Sequence, residues 1–447
     1  MKLLRKVNES IYIMPTYGIV ISSETGLDEE TAVEISEGVI QKEMPLLDVK
    51  EKMLDFKPYE KSISTQVLIS LTNDCNMLCQ YCYYSSGGRK NEHLSKSDID
   101  VVVQRLYKNA AILKLGGVNG VIVTVNVIGG GEPTLAWEQI EYLVSSLNRL
   151  KSSTKIDYFL SISTNGVLPE YKAQYLAENF HSIQVSFDCV EDIQNIQRPM
   201  FDGSPSYDLV EKTINYFDEN GAKYGVNSVV SPVYYGRLFD MVDGILSRHK
   251  NMRFLKFELC MTDGRASGLS DAKSEAKEFL SNFLNIKEHF ADRGTNIVSS
   301  YFSIYPRSAY CPYNLVAGSC IDANGNLLPC PKDIDVSKYS AGNIRDTKSH
   351  LNNGRHLYDE WYKPMLNCCS DCFAYYYCGS GCPLDIKRNS DGTYVKEDCN
   401  DLCALKKHFY HDIIQRIACS DSPKWVETRI LDDYSTPSIK VMSYREK

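Results

Sequence analysis

The sequence has no apolar run long enough to cross a membrane. Its longest apolar stretch, Val121–Ile128, is interrupted by Thr124 and Asn126 and falls far short of the roughly 20 residues that span a bilayer. The N-terminal segment carries a few cations but no uninterrupted apolar core, so we identify no signal peptide. We find no internal repeat and no low-complexity tract. These absences predict a folded, soluble cytoplasmic protein without a membrane partner.

The chain also lacks an excess of cations. Its 49 Lys and Arg residues against 57 Asp and Glu residues give a formal charge of -8, which argues against non-specific nucleic-acid binding because phosphate contacts need clustered cations. Apolar residues make up 43% and charged residues 24%, as in folded globular proteins. The length of 447 residues predicts one large domain with one or two smaller ones.

Cysteine, in contrast, is abundant, with 16 residues. A large protein of a reducing compartment does not need disulfides, so metal or iron–sulfur ligation explains this number better. Three cysteines lie between Cys75 and Cys82, eleven lie between Cys311 and Cys419, and the other two lie between these groups. We therefore expect two thiol-rich sites that flank a thiol-poor middle.

Residues 64 to 295 alternate short β-branched runs with amphipathic stretches of helical length, which indicates βα units and a parallel sheet. The predicted strands are Gln66–Leu71, Val121–Ile128, Tyr158–Thr164, Ile183–Asp188, Lys223–Val230 and Phe254–Met261. The predicted helices are Ser95–Leu113, Ala136–Leu150, Glu170–Glu178, Ser206–Asn220, Leu238–Lys250 and Ser270–Arg293. Six units are too few for a closed eightfold barrel, so we predict an α/β fold with a partial (β/α)6 barrel whose site lies at the carboxyl ends of the strands.

The flanking regions are predicted to be smaller. Residues 1–62 form an N-terminal extension with one strand, Ile11–Ser22, and a helical stretch near Glu29–Gln41. The barrel domain spans residues 63–300, and a loop-rich domain spans 301–419. In the loop-rich domain Asn324-Gly325 predicts a hairpin and a helix runs from about Ala404 to Ala418. Residues 420–447 form a C-terminal tail.

The first cysteine group has the spacing of a cluster site. Thiolates at Cys75, Cys79 and Cys82 can hold three irons of a cube-shaped cluster and leave the fourth iron open. Zinc is the alternative, but it needs a fourth ligand and the nearest histidine is His93. The CxxxCxxC pattern, with aromatic Tyr81 before the last cysteine, resembles the signature of the radical S-adenosylmethionine (SAM) superfamily. The resemblance implies that the open iron chelates the amino and carboxylate groups of SAM.

Further motifs resemble SAM-binding positions of that superfamily. Gly129-Gly130-Gly131-Glu132-Pro133 resembles its GGEP motif; glycines let the backbone approach the ligand closely, and a carboxylate or carbonyl there can accept the hydrogens of the methionine ammonium group. The alternative is an ordinary glycine-rich turn. The resemblance extends to the polar ends of the third and fourth strands and to an arginine after the fourth. It implies SAM contacts from Tyr81, Gly130, Gly131, Glu132, Pro133, Ser163, Asn165, Ser186, Asp188 and Arg198.

Two alternatives remain open around these strand ends. Asn165-Gly166 and Asp188 are also typical of βα turns, where they cap the next element without binding a ligand. After the sixth strand, Gly264-Arg265-Ala266 is a further candidate for the site.

The C-terminal cysteines form a second pattern. Cys369-x2-Cys372-x5-Cys378-x3-Cys382, preceded by Cys311-x13-Gly325-x4-Cys330, resembles the SPASM domain of radical SAM enzymes. Gly342-Asn343-Ile344 is similar to a recurrent segment of that domain. The resemblance implies two auxiliary four-iron four-sulfur clusters, the first held by Cys311, Cys330 and Cys382, with Cys320 as the candidate fourth ligand. The second would be held by Cys369, Cys372, Cys378 and Cys403, with Cys399 as the alternative to Cys403. A pair of structural zinc sites is the other explanation of these thiols.

The resemblance implies an enzyme with three 4Fe-4S clusters and SAM, reduced by a partner such as flavodoxin or ferredoxin. SPASM enzymes act mostly on peptides, so we expect a maturase that forms a thioether or carbon–carbon crosslink in a ribosomally made precursor peptide. Sulfatase maturation is an alternative, but there an aspartate follows the Gx4C cysteine, whereas Pro331 follows Cys330 here and the nearest acid is Asp333. A non-enzymatic electron-transfer or sensing protein is a third explanation, against which the SAM motifs argue.

Recognition of a leader peptide is left open by the sequence. Residues 1–62 are too short for a complete winged-helix module, although the strand predicted at Ile11–Ser22 can pair with a peptide edge.

Overall fold

The computed structural model describes residues 64–231, 236–260, 272–299, 320–331, 340–346 and 403–419, shorter stretches at 5–8, 11–14, 19–22, 32–33, 372–374 and 442–445, and residues 30, 265, 336, 369 and 378. Three predicted ligands, Cys311, Cys382 and the alternative Cys399, lie outside the described residues, as does Asp333. Of the helical stretch predicted near Glu29–Gln41, helical backbone is described at residues 30, 32 and 33.

A nine-stranded sheet forms the centre of the described chain. Six of its strands are the predicted ones, they are all parallel, and they follow one another in space in chain order. These are β4 (Gln66–Ile69), β5 (Val123–Val127), β6 (Tyr158–Thr164), β7 (Ser182–Ser186), β8 (Tyr224–Val230) and β9 (Phe254–Leu259). A further parallel strand that the sequence did not reveal, β10 (Asn296–Val298), extends the sheet beyond β9.

The two faces of this sheet differ in chemistry because side chains alternate along each strand. One face is buried and apolar, and examples are Ile162 on β6, Val185 on β7 and Leu255 on β9. The other face is half-buried and polar on most strands, as the alternating burial of β7 and β9 shows. The buried face packs into the helical layer as one hydrophobic core.

Helices connect the parallel strands, as right-handed βαβ units require. They are α1 (Lys96–Leu115), α2 (Trp137–Thr154), α3 (Glu170–Asn179), α4 (Glu191–Gln197), α5 (Tyr207–Glu219), α6 (Leu238–Arg248) and α7 (Ala272–His289). Ser95 and Asp98 form a reciprocal capping box that begins α1, which explains why the helix starts there. The short helix α4 was not predicted, because seven residues give too little periodicity to recognise.

None of the described helices has both the length and the hydropathy that a membrane-spanning segment requires.

The N-terminal residues form a second, separate sheet. Its strands are β1 (Arg5–Asn8), β2 (Ile11–Met14), β3 (Ile19–Ser22) and the C-terminal β13 (Met442–Arg445). The prediction of one strand over Ile11–Ser22 was therefore wrong, since the segment folds into the antiparallel pair β2 and β3. Pro15 and Gly18 lie between the two strands in the sequence, and these residue types commonly interrupt a strand, so they were the available signal for this break.

The C-terminal hairpin lies at the opposite edge of the main sheet from β10. Strand β11 (Cys320–Ile321) pairs in parallel with β4 and antiparallel with β12 (Leu327–Leu328), so the predicted hairpin around Asn324-Gly325 is confirmed. Gly325 has a φ of +82°, and the Asp322 carboxylate accepts the backbone N–H groups of Asn324 and Asn326 at 2.9 and 2.8 Å. A helix, α8 (Cys403–Cys419), follows.

Candidate active site

The three cysteines of the first group lie in a loop that follows β4 and crosses the carboxyl ends of the strands. Cys75 pairs with Gly88 across the loop, its N–H donating to the Gly88 carbonyl at 3.0 Å. The Cys82 N–H donates to the Cys79 carbonyl at 3.3 Å, and the Ser86 N–H donates to the Cys82 sulfur at 3.4 Å. All three thiols line one cavity.

Asp74 closes the base of this loop. Its buried carboxylate accepts the backbone N–H groups of Lys90 and Asn91 at 2.5 and 2.9 Å and lies 3.2 Å from the His93 ring nitrogen. These contacts join the two ends of the loop that carries the three cysteines. Asp74 could not be predicted, because an acid beside a cysteine has no distinctive pattern.

The thiols fit a cluster better than a single ion. Burial raises the pKa of Cys75 to about 12 and that of Cys79 to about 11, so the thiolate forms need a cationic centre to exist at neutral pH. The Cys75-x3-Cys79-x2-Cys82 spacing suits a four-iron cluster, in which each thiolate binds a different iron.

The glycine turn after β5 forms the wall opposite the cysteines. A methyl group on Gly131 would overlap the Asp74 carbonyl oxygen, and one on Gly130 would overlap the Tyr84 ring and the Asn73 side chain. The Gly131 N–H donates to the Thr72 carbonyl at 3.1 Å, so this turn is fastened to the start of the cluster loop. The close packing explains why glycine is needed at these positions.

Glu132 lines the cavity next to this turn, and the buried Pro133 follows it. The Glu132 carboxylate is 2% exposed and accepts bonds from the Asn165 N–H at 2.7 Å, from the Thr164 hydroxyl at 2.7 Å, and from the N–H and hydroxyl of Thr134 at 3.0 and 2.7 Å. Burial raises the pKa of Glu132, while these bonds oppose that rise. Through these four hydrogen bonds the carboxylate joins the ends of β5 and β6. Pro133 is buried and begins a short 3-10 helix.

Asp188 and Arg198 form a buried ion pair at the end of β7. Arg198 Nε donates to Asp188 Oδ2 at 3.0 Å, and their side chains are 6% and 0% exposed. The Tyr81 hydroxyl donates to the same oxygen at 2.7 Å, and the Arg198 guanidinium lies 5.0 Å from the Tyr81 ring centre. Arg198 and Tyr81 line the cavity; Asp188 is not among the described residues that line it. Asp188 thus orients two cavity residues.

The cavity has a volume of about 420 Å³, in the range of small-molecule sites. Besides the cysteines and glycines, it is lined by polar side chains from the strands, namely Ser163 on β6, Asn165 directly after β6, Gln184 and Ser186 on β7, Asn227 on β8 and Glu258 on β9. Closed eight-stranded barrels fill their interior with branched apolar side chains. The polar inner wall here is instead suited to a polar ligand.

Gln184, Asn227 and Glu258 line the cavity from the strands but were not predicted. Lys256 Nζ lies 2.7 Å from a Glu258 carboxylate oxygen, and Lys256 is opposite Asn227 in the β8–β9 register. Asn227 Oδ1 is buried, and no hydrogen-bond partner is found for it within the described part of the chain. Polar residues at the inward positions of β8 and β9 were the available signal, because they interrupt otherwise apolar strands.

A second, smaller cavity adjoins the first. It is lined by Cys320, Cys330 and Pro331 from the C-terminal hairpin, and it shares Tyr84 and the segment from Ile128 to Gly130 with the main cavity. Cys320 and Cys330 are both buried. The structure therefore brings these two predicted ligands to the back of the glycine wall.

The other described cysteines of the C-terminal domain are Cys369, Cys372, Cys378 and Cys403. The Cys372 N–H donates to the Cys369 carbonyl at 3.1 Å, so these two lie in one tight turn, and Cys403 is the first residue of α8. Asn343 pairs with Asn326 beside the hairpin, and Arg345 Nη2 reaches Asp98 at 2.9 Å at the start of α1.

This fold and this site define a radical SAM domain. Residues 69–247 match the family model of the Radical SAM superfamily. The chain thus contains a radical SAM domain, which implies a 4Fe-4S cluster and SAM, and it is an enzyme.

Known proteins similar to this chain include maturases. A cysteine-type anaerobic sulfatase-maturating enzyme of Clostridium perfringens is 25% identical over 368 residues, covering 77% of this chain and 95% of that protein. The solved structure of native anSMEcpe with bound AdoMet superimposes with a TM-score of 0.63 at 20% identity, over 78% of this chain and 97% of that one. The crystal structure of Streptococcus suis SuiB bound to its precursor peptide SuiA gives a TM-score of 0.54 at 16% identity, over 83% and 88%. The two structural matches confirm the predicted fold.

Proposed function

We propose that this chain is a radical SAM peptide maturase that installs a thioether or carbon–carbon crosslink in a ribosomally made precursor peptide. One observation carries the proposal: three cysteine thiols, a close-packed glycine turn and a polar barrel wall surround one cavity of about 420 Å³. The thiols suit a cluster, the turn suits the close approach of SAM, and the wall suits a polar substrate. A pure electron carrier needs no such cavity.

Cys75, Cys79 and Cys82 would hold the SAM-binding cluster, and Tyr81, Gly130, Gly131, Ser163, Asn165, Ser186 and Arg198 would contact SAM. When bound and reduced, the cluster and SAM supply a 5′-deoxyadenosyl radical that takes a hydrogen atom from a substrate carbon. The chain's own residues bind and orient the reactants. Arg198 presents its charge to the cavity from its pair with Asp188, and Glu132 holds Asn165 beside the glycine turn.

Two auxiliary clusters belong to the same proposal. Cys311, Cys320, Cys330 and Cys382 would hold the first, and Cys369, Cys372, Cys378 and Cys403 the second, giving three 4Fe-4S clusters in all. The wall that the two cavities share supports a short path between the first auxiliary cluster and the substrate. Held by these residues, the first auxiliary cluster would supply an acceptor for the electron left on the substrate, and a flavodoxin or ferredoxin would be the redox partner of the protein.

The inner barrel wall supports a peptide as substrate. Gln184 and Asn227 each carry a carboxamide, which offers the same donor and acceptor as a peptide group. Lys256 and Glu258 add one donor and one acceptor beside them. We propose that this wall holds the peptide residue from which the hydrogen atom is taken.

A second candidate function is the maturation of a sulfatase by oxidation of a cysteine or serine to formylglycine. It is favoured by the similarity to the Clostridium perfringens enzyme over 77% of this chain. Pro331, which follows Cys330 at the edge of the second cavity, argues against it, because that position carries the acidic base in the sulfatase pattern described above.

Mass spectrometry of the product peptide separates these functions. The reduced, cluster-loaded protein would be incubated with SAM and with precursor peptides encoded beside its gene, and in parallel with a cysteine peptide from a sulfatase. A loss of two hydrogens from the precursor peptide supports the crosslinking maturase. Replacement of the cysteine sulfur by oxygen in the sulfatase peptide, with no change of the precursor, would overturn it in favour of the second candidate.

The wall can be tested by replacing Lys256 with Met. We expect Lys256→Met to lower peptide modification at least about tenfold and to leave SAM affinity within about twofold, because Lys256 is the ion-pair partner of Glu258, which lines the cavity from β9. Lys151→Met is the matched control, since it breaks an ion pair of similar length, 2.8 Å to Asp157, on the exposed surface. Equal effects of the two variants would contradict a role of the wall in substrate binding.

A further inference from the structure

We propose that Arg265 is a positioning residue that clamps the cluster loop and places a positive charge beside Cys79. The inference rests on the proposed function, because it assigns a role toward the cluster that Cys75, Cys79 and Cys82 would hold. Arg265 follows β9 in the chain, whereas the loop follows β4, so the contact joins the last predicted barrel strand to the first.

Three carbonyl oxygens of the loop accept hydrogen bonds from this one residue. The backbone N–H of Arg265 donates to the Cys82 carbonyl at 3.0 Å. Its guanidinium donates through Nη1 to the Cys79 carbonyl and through Nη2 to the Ser86 carbonyl. The planar fork of arginine fixes the separation of its two nitrogens, so it sets the distance between these two points of the loop.

On the opposite side, backbone hydrogen bonds hold the loop, together with the Asn165 amide that donates to Asn76 Oδ1 at 2.7 Å and the Tyr81 hydroxyl that donates to Asp188. The N–H groups of Leu78 and Gln80 donate to the carbonyls of Pro199 and Gln197, both at 2.9 Å, and the Phe201 N–H donates to the Asn76 carbonyl at 2.9 Å. These bonds fix residues 76–80 of the loop to the end of α4 and the segment after it. Arg265 holds the loop at Cys79, Cys82 and Ser86, so the loop is fixed from both sides.

The charge of Arg265 lies beside Cys79. Its Nη1 donates to the Cys79 carbonyl, and among the described residues its guanidinium contacts backbone carbonyls and no carboxylate. Arg198, in contrast, is paired with Asp188. A positive charge at this place favours the reduced, more negative state of the cluster that Cys79 would help to hold.

The test compares Arg265→Gln and Arg265→Lys in the full-length, cluster-loaded protein. Hydrogen–deuterium exchange of residues 75–88 measures the clamp, and an electron paramagnetic resonance titration measures the midpoint potential of the SAM cluster. We expect Arg265→Gln to speed exchange about tenfold or more and to shift the potential to more negative values. Arg265→Lys should restore the potential, since it keeps the charge, but not the slow exchange, since an ammonium group cannot bridge two carbonyls.

Arg237→Gln is the matched control, because it removes a guanidinium that binds Asp192 on the exposed surface. The proposal is overturned if Arg265→Gln leaves both quantities at wild-type values, if Arg237→Gln changes them equally, or if Arg265→Lys fails to restore the potential. A wild-type protein that binds no SAM cluster would refute the proposed function instead. The exchange comparison on the cluster-free chain would then still decide whether Arg265 clamps the loop.

Discussion

At the residue scale, two buried carboxylates hold other residues of the site in place. Asp188 and Glu132 were both predicted to contact SAM; in the structure the oxygens of both accept hydrogen bonds from the protein itself, and Glu132 lines the cavity whereas Asp188 is not among the described residues that line it. Sequence patterns identify such acids because they stand at strand ends. They do not reveal whether the side chain faces the ligand or the residue that binds it.

Replacing Asp188 by Asn should therefore destabilise the whole protein. Arg198 would stay buried without its anionic partner, and removal of one member of a buried pair costs about 3–5 kcal/mol. Urea unfolding measures this loss, and equilibrium dialysis with SAM should show weaker binding as Arg198 and Tyr81 lose their orientation. Asp192→Asn, which breaks the exposed pair with Arg237, should cost no more than about 1 kcal/mol. Equal losses in the two variants would mean that the pair at Asp188 is not structural.

The glycine turn gives a second prediction at this scale. Gly131→Ala should destabilise the protein by about 1–3 kcal/mol, because the added methyl group meets the Asp74 backbone, which cannot move without displacing Cys75. Iron content after reconstitution should fall along with stability. Gly236→Ala is the control, as no atom of the described residues lies within 4 Å of a methyl group there. Normal iron content in Gly131→Ala would show that the turn is looser than the structure indicates.

At the scale of secondary-structure elements, the six central strands could be predicted because their apolar runs are bounded by turn residues. The structure ends most of them within about three residues of the predicted limits. Short elements were not predicted. The helix α4 spans seven residues and β10 spans three, so neither is long enough for its periodicity to be recognised. The contacts of Arg265 with the cluster loop and the pair of Arg345 with Asp98 were not predicted either, since contacts between residues distant in sequence leave no local pattern.

The pair of Arg345 and Asp98 joins the C-terminal hairpin region to the start of α1, and it predicts a dependence on pH. The hydrogen bond from Arg345 lowers the pKa of Asp98 to about 2. Because this value lies below the roughly 3.9 of an unfolded chain, the pair stabilises the fold above about pH 4 and loses its effect as the pH falls toward 2.

Arg345→Ala should lower the free energy of unfolding by about 1 kcal/mol at pH 7, a modest value because the arginine is half-exposed and screened by solvent. Chemical unfolding at a series of pH values should show the difference from wild type shrinking between pH 4 and pH 2. Arg293→Ala, which removes an exposed pair with Asp243, provides the comparison. A constant difference across this range would show that Asp98 does not depend on Arg345.

At the scale of the whole molecule, the cysteine pattern predicts the metal content. Three clusters require about twelve iron and twelve sulfide per chain after anaerobic reconstitution. Alanine at Cys75, Cys79 and Cys82 together should reduce this to about eight, because the auxiliary clusters use other thiols. A wild-type protein with four irons and bound zinc would contradict the proposed auxiliary clusters and leave the radical SAM domain intact.

The proposed function is tested most directly by measuring the release of 5′-deoxyadenosine from SAM by the reconstituted, chemically reduced protein, with and without the precursor peptide. We expect the wild type to release it, the peptide to increase the rate, and the triple alanine variant of Cys75, Cys79 and Cys82 to release none. Undiminished release by the triple variant would contradict the proposed function. So would the absence of release from a wild type that has its full iron content and the peptide present.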